Sequence, residues 1–217
     1  MREVNLLDTY PRSTRPIAQR EAAVPAQQAI ARLFGREYFD GDRTQGYGGY
    51  RYDGRWISVA TRMRDFYGLQ AGDRVLDVGC AKGFLLYDLQ QVTPGVKVAG
   101  VDVSSYALLH GMDDVRASLV QGSADALPFP DRSFDLVIAI NTIHNLDRAR
   151  CVAAVREIER VSRRFKYVQV DSWLSERERQ NFERWVLTAL TYYDPHGWRG
   201  LFAEAGFTGD YYWTITE

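Results

Sequence analysis

At 217 residues, with 46% hydrophobic and 25% charged residues, the chain is sized for one α/β domain plus an appendage, and its composition excludes a disordered chain. A formal net charge of −1, from 27 basic and 28 acidic residues, is no polyanion-binding signature, so no nucleic acid partner is expected. No run reaches the ~20 apolar residues that span a bilayer, the N-terminus lacks a signal-peptide core, and Cys80 and Cys151 make neither a bridge framework nor a metal-ligand pair; a soluble, cytoplasmic protein with no membrane partner and no metal is expected.

Residues 1 to about 25 carry Pro11, Pro16 and Pro25 among alternating charges and read as an arm held by the rest of the protein. Ala26 to Phe34 has helical spacing and a glycine stop at Gly35. From 38 to 56, five glycines alternate with Tyr38, Tyr47, Tyr50, Tyr52 and Trp56, a composition that predicts a loop throughout, used either as packing or as a lid over a ligand. Residues 1–56 are therefore set apart as an N-terminal arm and Tyr/Gly-rich lid, and 57–217 as the catalytic domain.

Apolar residues recur at helical intervals from Ile57 to Tyr67. The stretch RVLDVGCAKGFLLYDL, from Arg74 to Leu89, then reads as a buried strand, a glycine turn and a helix start. Val96 to Val103 is a second buried strand with Asp102 near its end, 19 residues past Gly83, where a ribose would be read. A helix from Ser105 to Met112, a weak strand near Ser118 to Gln121, and the buried strand Phe134 to Ile140 follow. Helix Arg148 to Val161, strand Phe165 to Val170, a charged helix Glu176 to Ala189, a break at Asp194 and Pro195, a helix to Ala205 and a strand near Tyr211 to Ile215 complete the chain. This alternation predicts an α/β fold, a doubly wound, mostly parallel sheet of six to seven strands with ligands at the carboxyl ends.

The glycine turn is neither GxGxxG nor GxxxxGK, which sets aside dinucleotide and triphosphate loops. It reads D-V-G-C-A-K-G, and resembles motif I of the class I S-adenosylmethionine-dependent methyltransferases, [D/E]xGxGxG. The resemblance runs from Arg74 to about Val170 and includes, in order, the acidic residue of the second strand (Asp102 in GVDVS), an acidic residue after the third (Asp125 in GSADALPFP) and the fourth-strand region LPFPDRSFDLVIAINTIHNL. It implies a Rossmann-like fold and S-adenosyl-L-methionine as cofactor. The implied cofactor residues are Asp77, Gly79, Cys80, Ala81 and Gly83 at the loop, Asp102 and Val103 at the ribose, Ser123, Ala124 and Asp125 at the adenine, and Asn141 at the methionine end.

Ala81 stands where the family has its middle glycine, a small perturbation if φ there is negative. Lys82 would either approach the methionine carboxylate or point into water, and Asp135 reads as structural. His144, just past the fourth strand, is the histidine best placed for acid/base work, or a satisfied buried one. Tyr50 and Tyr52 are catalytic candidates as lid residues, shaping with Tyr47 and Trp56 a small-molecule pocket. The expected activity is methyl transfer to a small-molecule acceptor. A same-fold enzyme that cyclises the cofactor's aminobutyrate chain and releases methylthioadenosine, and a non-enzymatic cofactor-binding subunit, are the alternatives. Because GFTGDYYWTITE leaves room for one last strand rather than the family's usual antiparallel pair, the sheet edge must be shorter or be covered by the N-terminal arm or by a second subunit, as in a homodimer.

Overall fold

The structure is a computed structural model that describes residues 1–11, 17 and 24–216. The middle of the predicted arm, Pro16 included, lies outside the described residues. Among the described residues, seven strands form one sheet in which every pairing between strands is parallel: β1 (Arg2–Glu3), β2 (Arg74–Val78), β3 (Lys97–Asp102), β4 (Leu119–Gln121), β5 (Phe134–Ile140), β6 (Ser162–Ser172) and β7 (Asp210–Ile215), in the spatial order β1-β7-β6-β5-β2-β3-β4. The chain enters at the centre with β2, builds outward through β3 and β4, and returns to the other side of β2 with β5. That reversal places a crevice outside the carboxyl ends of β2 and β5, the position at which open α/β sheets bind ligands.

Side chains alternate between two apolar layers, as the two-residue period of a strand requires. Leu76, Val78, Val137 and Ala139 face the cluster that holds Val155 and Ile158 of α7 (Arg148–Val161) and Trp198 and Phe202 of α9 (Pro195–Ala205). Val75, Leu136, Ile138 and Tyr167 face the other, with Met63 of α3 (Ile57–Tyr67) and Leu86 and Leu89 of α4 (Phe84–Val92). Both faces of the sheet are thus covered, which is why its central strands read as continuous apolar runs.

The N-terminal arm supplies a strand of its own. Arg2 donates two hydrogen bonds to Asp210, at 2.7 and 2.8 Å, Val4 N–H donates to Tyr211 O, and the Leu6 side chain is fully buried. The arm therefore covers the edge of β7 from within the chain, and the open edge that motivated a second subunit is answered here by β1.

Three other expectations shift. The segment predicted as helix 26–34 is α1 (Val24–Ala31), and Phe34 at φ 49° turns the chain into α2 (Arg36–Asp40), so Tyr38 and Phe39 belong to a short helix rather than to the loop. The helix expected over 105–112 breaks at Gly111 into α5 (Ser105–Leu109) and α6 (Asp113–Arg116), where a Cβ would lie 2.9 Å from Leu119 Cδ1. The charged helix, α8 (Glu176–Trp185), starts on a Ser175/Glu178 capping box and ends four residues before Ala189, because Leu187, Thr188 and Ala189 turn inward and are buried.

Candidate functional site

The crevice is built first by the loop after β2. Gly79, Ala81 and Gly83 all have positive φ, at 81°, 49° and 76°. At Gly79 a Cβ would stand 2.0 Å from Thr142 Oγ1, so the loop lies directly on the turn that follows β5 and only glycine fits. The favourable case for Ala81 does not hold: its φ is positive, a conformation that costs an L-residue about 1–2 kcal/mol. The reason is visible in its partner, since that φ aims the Ala81 N–H at Asp102 Oδ2, 2.8 Å away. Cys80 contributes backbone only; its N–H joins Val101 O, and its thiol, pushed up by burial, packs against Gly100 of β3.

Two carboxylates face this loop. Asp102 accepts from Ala81 N–H with one oxygen and Ser104 N–H with the other, each at 2.8 Å, leaving lone pairs on both. Burial raises its pKa and the backbone bonds oppose the rise. Asp77 is 6% exposed, and its carboxylate accepts no hydrogen bond among the described residues. Burial first, and then the charge of Asp102, push it up to about 7. A buried acceptor with no donor fits a cationic or N–H-bearing ligand group, and the ammonium of an amino-acid moiety has that chemistry.

Val103, the next residue after Asp102, is 45% exposed at the strand end. Ser123 donates to Asp125, Ala124 is buried, and Arg150 of α7 clamps both Asp125 oxygens at 2.7 and 3.1 Å, holding that carboxyl down at about 2. Arg150 was not anticipated; it lies 25 residues downstream and only the packing of α7 brings it there.

The aromatic segment lies over the loop and is tied to it. Lys82, expected to reach ligand or water, is instead buried at 6% exposure and donates to both Asp40 oxygens at 2.8 and 2.7 Å and to Tyr50 O at 2.9 Å. Tyr106 OH also donates to Asp40, and Ser104 Oγ donates to Phe34 O. Burial alone would raise the Asp40 pKa, but the Lys82 and Tyr106 bonds prevail and lower it. Tyr50 stacks on Phe84 with ring centroids 4.9 Å apart, and burial, Tyr10 and Asp77, in that order, push its phenol upward, so it is a neutral wall. Tyr52 turns its hydroxyl to Asp88 Oδ1 of α4 at 2.6 Å, and Tyr47 stacks on Phe39; these two are brought to the segment's own anchoring, not to Asp77.

Beyond β5, Asn141 takes φ 52°, a left-handed position that asparagine tolerates, and its N–H joins Gln169 O. His144 is buried at 3% exposure; its Nδ1 accepts from Asp171 N–H at 3.2 Å, and Nε2 faces Asp171 Oδ2 at 3.6 Å. Burial lowers its pKa against the pull of Asp171. The ring is thus a neutral Nε2–H tautomer whose basic nitrogen is already engaged. Asp135, as read, is structural: at the opposite end of the sheet it bonds Arg163 and Arg74 N–H.

A doubly wound domain with a glycine cradle and two buried carboxylates facing it, one of them without a hydrogen-bond donor among the described residues, has the layout of a nucleotide site. Residues 75–165 match the family model described as a methyltransferase domain. The chain is 47% identical over 72 residues to a demethylmenaquinone methyltransferase of Symbiobacterium thermophilum, covering 30% of this chain and 29% of that protein. It is 34% identical over 95 residues to the 27-O-demethylrifamycin SV methyltransferase of Amycolatopsis mediterranei, covering 41% and 35%. The crystal structure of YcgJ from Bacillus subtilis superposes with a TM-score of 0.56 at 21% identity, covering 70% of this chain and 68% of that one, and at this identity the likeness is one of fold. The chain spans about a third of the length of the curated relatives it matches first. The matched residues include the glycine loop, Asp102 and strands β3 to β5, so the similarity to a methyltransferase domain lies over the elements that build the crevice.

Proposed function

We propose that the protein transfers a methyl group from S-adenosylmethionine to a small-molecule acceptor, releasing S-adenosylhomocysteine. The observation that carries this reading is Asp77, a carboxylate buried at the bottom of the glycine cradle with no protein donor among the described residues. Asp77 would receive the cofactor's ammonium, Asp102 its ribose hydroxyls, and Val103 with Ser123, Ala124 and Asp125 its adenine. When bound, the cofactor supplies a methyl group on a positively charged sulfur, already activated for in-line displacement.

The chain's own contribution is alignment and exclusion of water. Tyr50, Phe84 and Tyr47 form an apolar wall over the loop, and Lys82 with Asp40 holds that wall in place. His144 acts by fixing the turn that carries Asp171, since its basic nitrogen is engaged there. Relatives named for demethylmenaquinone, 27-O-demethylrifamycin SV and sterols support a ring-bearing, largely apolar acceptor, for which aromatic walls are suited.

A wall held closed by an ion pair also suits a second reading, cyclisation of the cofactor's aminobutyrate chain, which requires other acceptors to be kept out. Mass spectrometry of S-adenosylmethionine incubated with protein, with and without a small-molecule cell extract, separates the two. S-adenosylhomocysteine formed only with extract supports methyl transfer; methylthioadenosine formed without extract replaces it with cyclisation.

A further inference from the structure

A line of four hydrogen bonds crosses the sheet on the face that packs against α3. Leu6 N–H donates to Tyr167 Oη at 3.3 Å, Tyr167 O–H to Gln169 Oε1 at 2.7 Å, Gln169 Nε2–H to Thr214 Oγ1 at 2.9 Å, and Thr214 O–H to Asn141 Oδ1 at 2.9 Å. Leu6 and Tyr167 are fully buried and Gln169 is 5% exposed, so an unsatisfied member would be costly.

The direction of this line is set at its far end. A backbone N–H can only donate, so Tyr167 Oη accepts from Leu6 and spends its one proton on Gln169. With Gln169 and Asn141 turned over, the phenol would accept from both sides and its proton would have no partner in the described structure. Each amide is therefore oriented, and Asn141 is left with its Oδ1 engaged and its NH2 making no hydrogen bond among the described residues. Asn141 stands one residue before Thr142, whose side chain touches the glycine cradle, and is half-buried at the crevice.

We propose that Asn141 is a hydrogen-bond donor to an electron-rich oxygen of the bound ligands, a carboxylate or a deprotonated hydroxyl, and that Thr214, Gln169 and Tyr167 are positioning residues that transmit this polarity from the N-terminal arm. This rests on the methyltransferase reading and adds to it the kind of atom the site receives. The oxygen belongs either to the cofactor's amino-acid end or to the acceptor. An amine nucleophile hydrogen-bonded to Asn141 is what this polarity selects against.

The test is calorimetric titration of S-adenosylhomocysteine and of 5′-methylthioadenosine, which has no amino-acid end, into the wild type and the Asn141→Asp, Thr214→Val and Thr214→Ser variants. Asn141→Asp keeps the size, tolerates the left-handed backbone and still accepts from Thr214, but offers a charge instead of two N–H donors. If the oxygen is the cofactor's carboxylate, Asn141→Asp weakens S-adenosylhomocysteine about tenfold or more and leaves methylthioadenosine unchanged. If it is the acceptor's, both affinities stay and S-adenosylhomocysteine formation with cell extract at saturating S-adenosylmethionine falls about tenfold or more. In either case Thr214→Val shifts the same quantity in the same direction and Thr214→Ser restores it to within about twofold. Tighter S-adenosylhomocysteine binding by Asn141→Asp would mean that the residue faces an ammonium and would overturn the proposal, as would wild-type behaviour of either Asn141→Asp or Thr214→Val. A wild type that binds S-adenosylhomocysteine keeps the functional reading alive whatever the variants do; one that binds neither probe removes both.

Discussion

Replacing Asp77 by asparagine tests the account of the cradle through stability rather than activity. With the carboxyl pushed up to about 7 in the folded chain and near 3.8 when unfolded, the group is neutral in both states in strong acid and costs nothing. As pH rises through 4 the unfolded chain releases its proton while the folded chain keeps it, so stability falls until the folded group also ionises near 7. At about 1.4 kcal/mol per unit, the cost is about 2 kcal/mol at pH 5 and about 4 kcal/mol at pH 8. The substituted amide carries no charge at any pH, and whatever it costs for lack of partners is the same at both. Urea denaturation of the cofactor-free protein should therefore show the stability of Asp77→Asn relative to wild type rising by about 2–3 kcal/mol between pH 5 and pH 8. The same variant should bind S-adenosylhomocysteine more weakly, because the carboxylate that burdens the free protein is the partner proposed above for the ligand's ammonium. A stability difference that stays constant between the two pH values would refute the assignment of a strained, unpartnered carboxylate.

Other perturbations act on separate parts of the same site. Lys82→Met leaves Asp40 without its cation and should cost about 1–3 kcal/mol while making residues 41–56 more sensitive to limited proteolysis; undiminished protection would show that the pair does not hold the segment. Gly79→Ala adds a methyl group 2.0 Å from Thr142 Oγ1 at φ 81° and should cost more than about 3 kcal/mol, with loss of cofactor binding; a variant within about 1 kcal/mol of wild type would contradict the contact. Removal of residues 1–8 takes away β1 and the buried Leu6, and should cost about 2–4 kcal/mol and give self-association in light scattering by baring the β7 edge, where the full chain is expected to scatter as a monomer.

Local pattern made much of the fold legible. Helix Ile57–Tyr67, strand Phe134–Ile140 and helix Arg148–Val161 coincide with their predicted bounds, because each carries an uninterrupted period and a definite stop. Asp102 was legible for a different reason, since its place at a strand end follows from spacing once the strand is known, whereas Asp77 and Asp125 were singled out through the family resemblance. What escaped was the pairing of particular side chains far apart in sequence. Asp40 and Lys82 are 42 positions apart, and nothing in either stretch announces that an ion pair will form between them. The left-handed φ of Ala81 escaped because it is imposed by Asp102, 21 residues on.

The same division applies to function. The sequence by itself pointed to the class of ligand through its resemblance to a known family, carried by a glycine turn between a buried strand and a helix and by the acids that follow it. Only the tertiary structure decided how the polar groups are spent: that Asp77 lacks a donor among the described residues, that His144 has its basic nitrogen engaged, that Lys82 serves the aromatic segment and that Asn141 offers N–H rather than oxygen. The reason is physical. Residue type and spacing set what a group is able to donate or accept, but burial and the partners already taken, which arise only when distant strands and the arm close over one another, set what it has left to give.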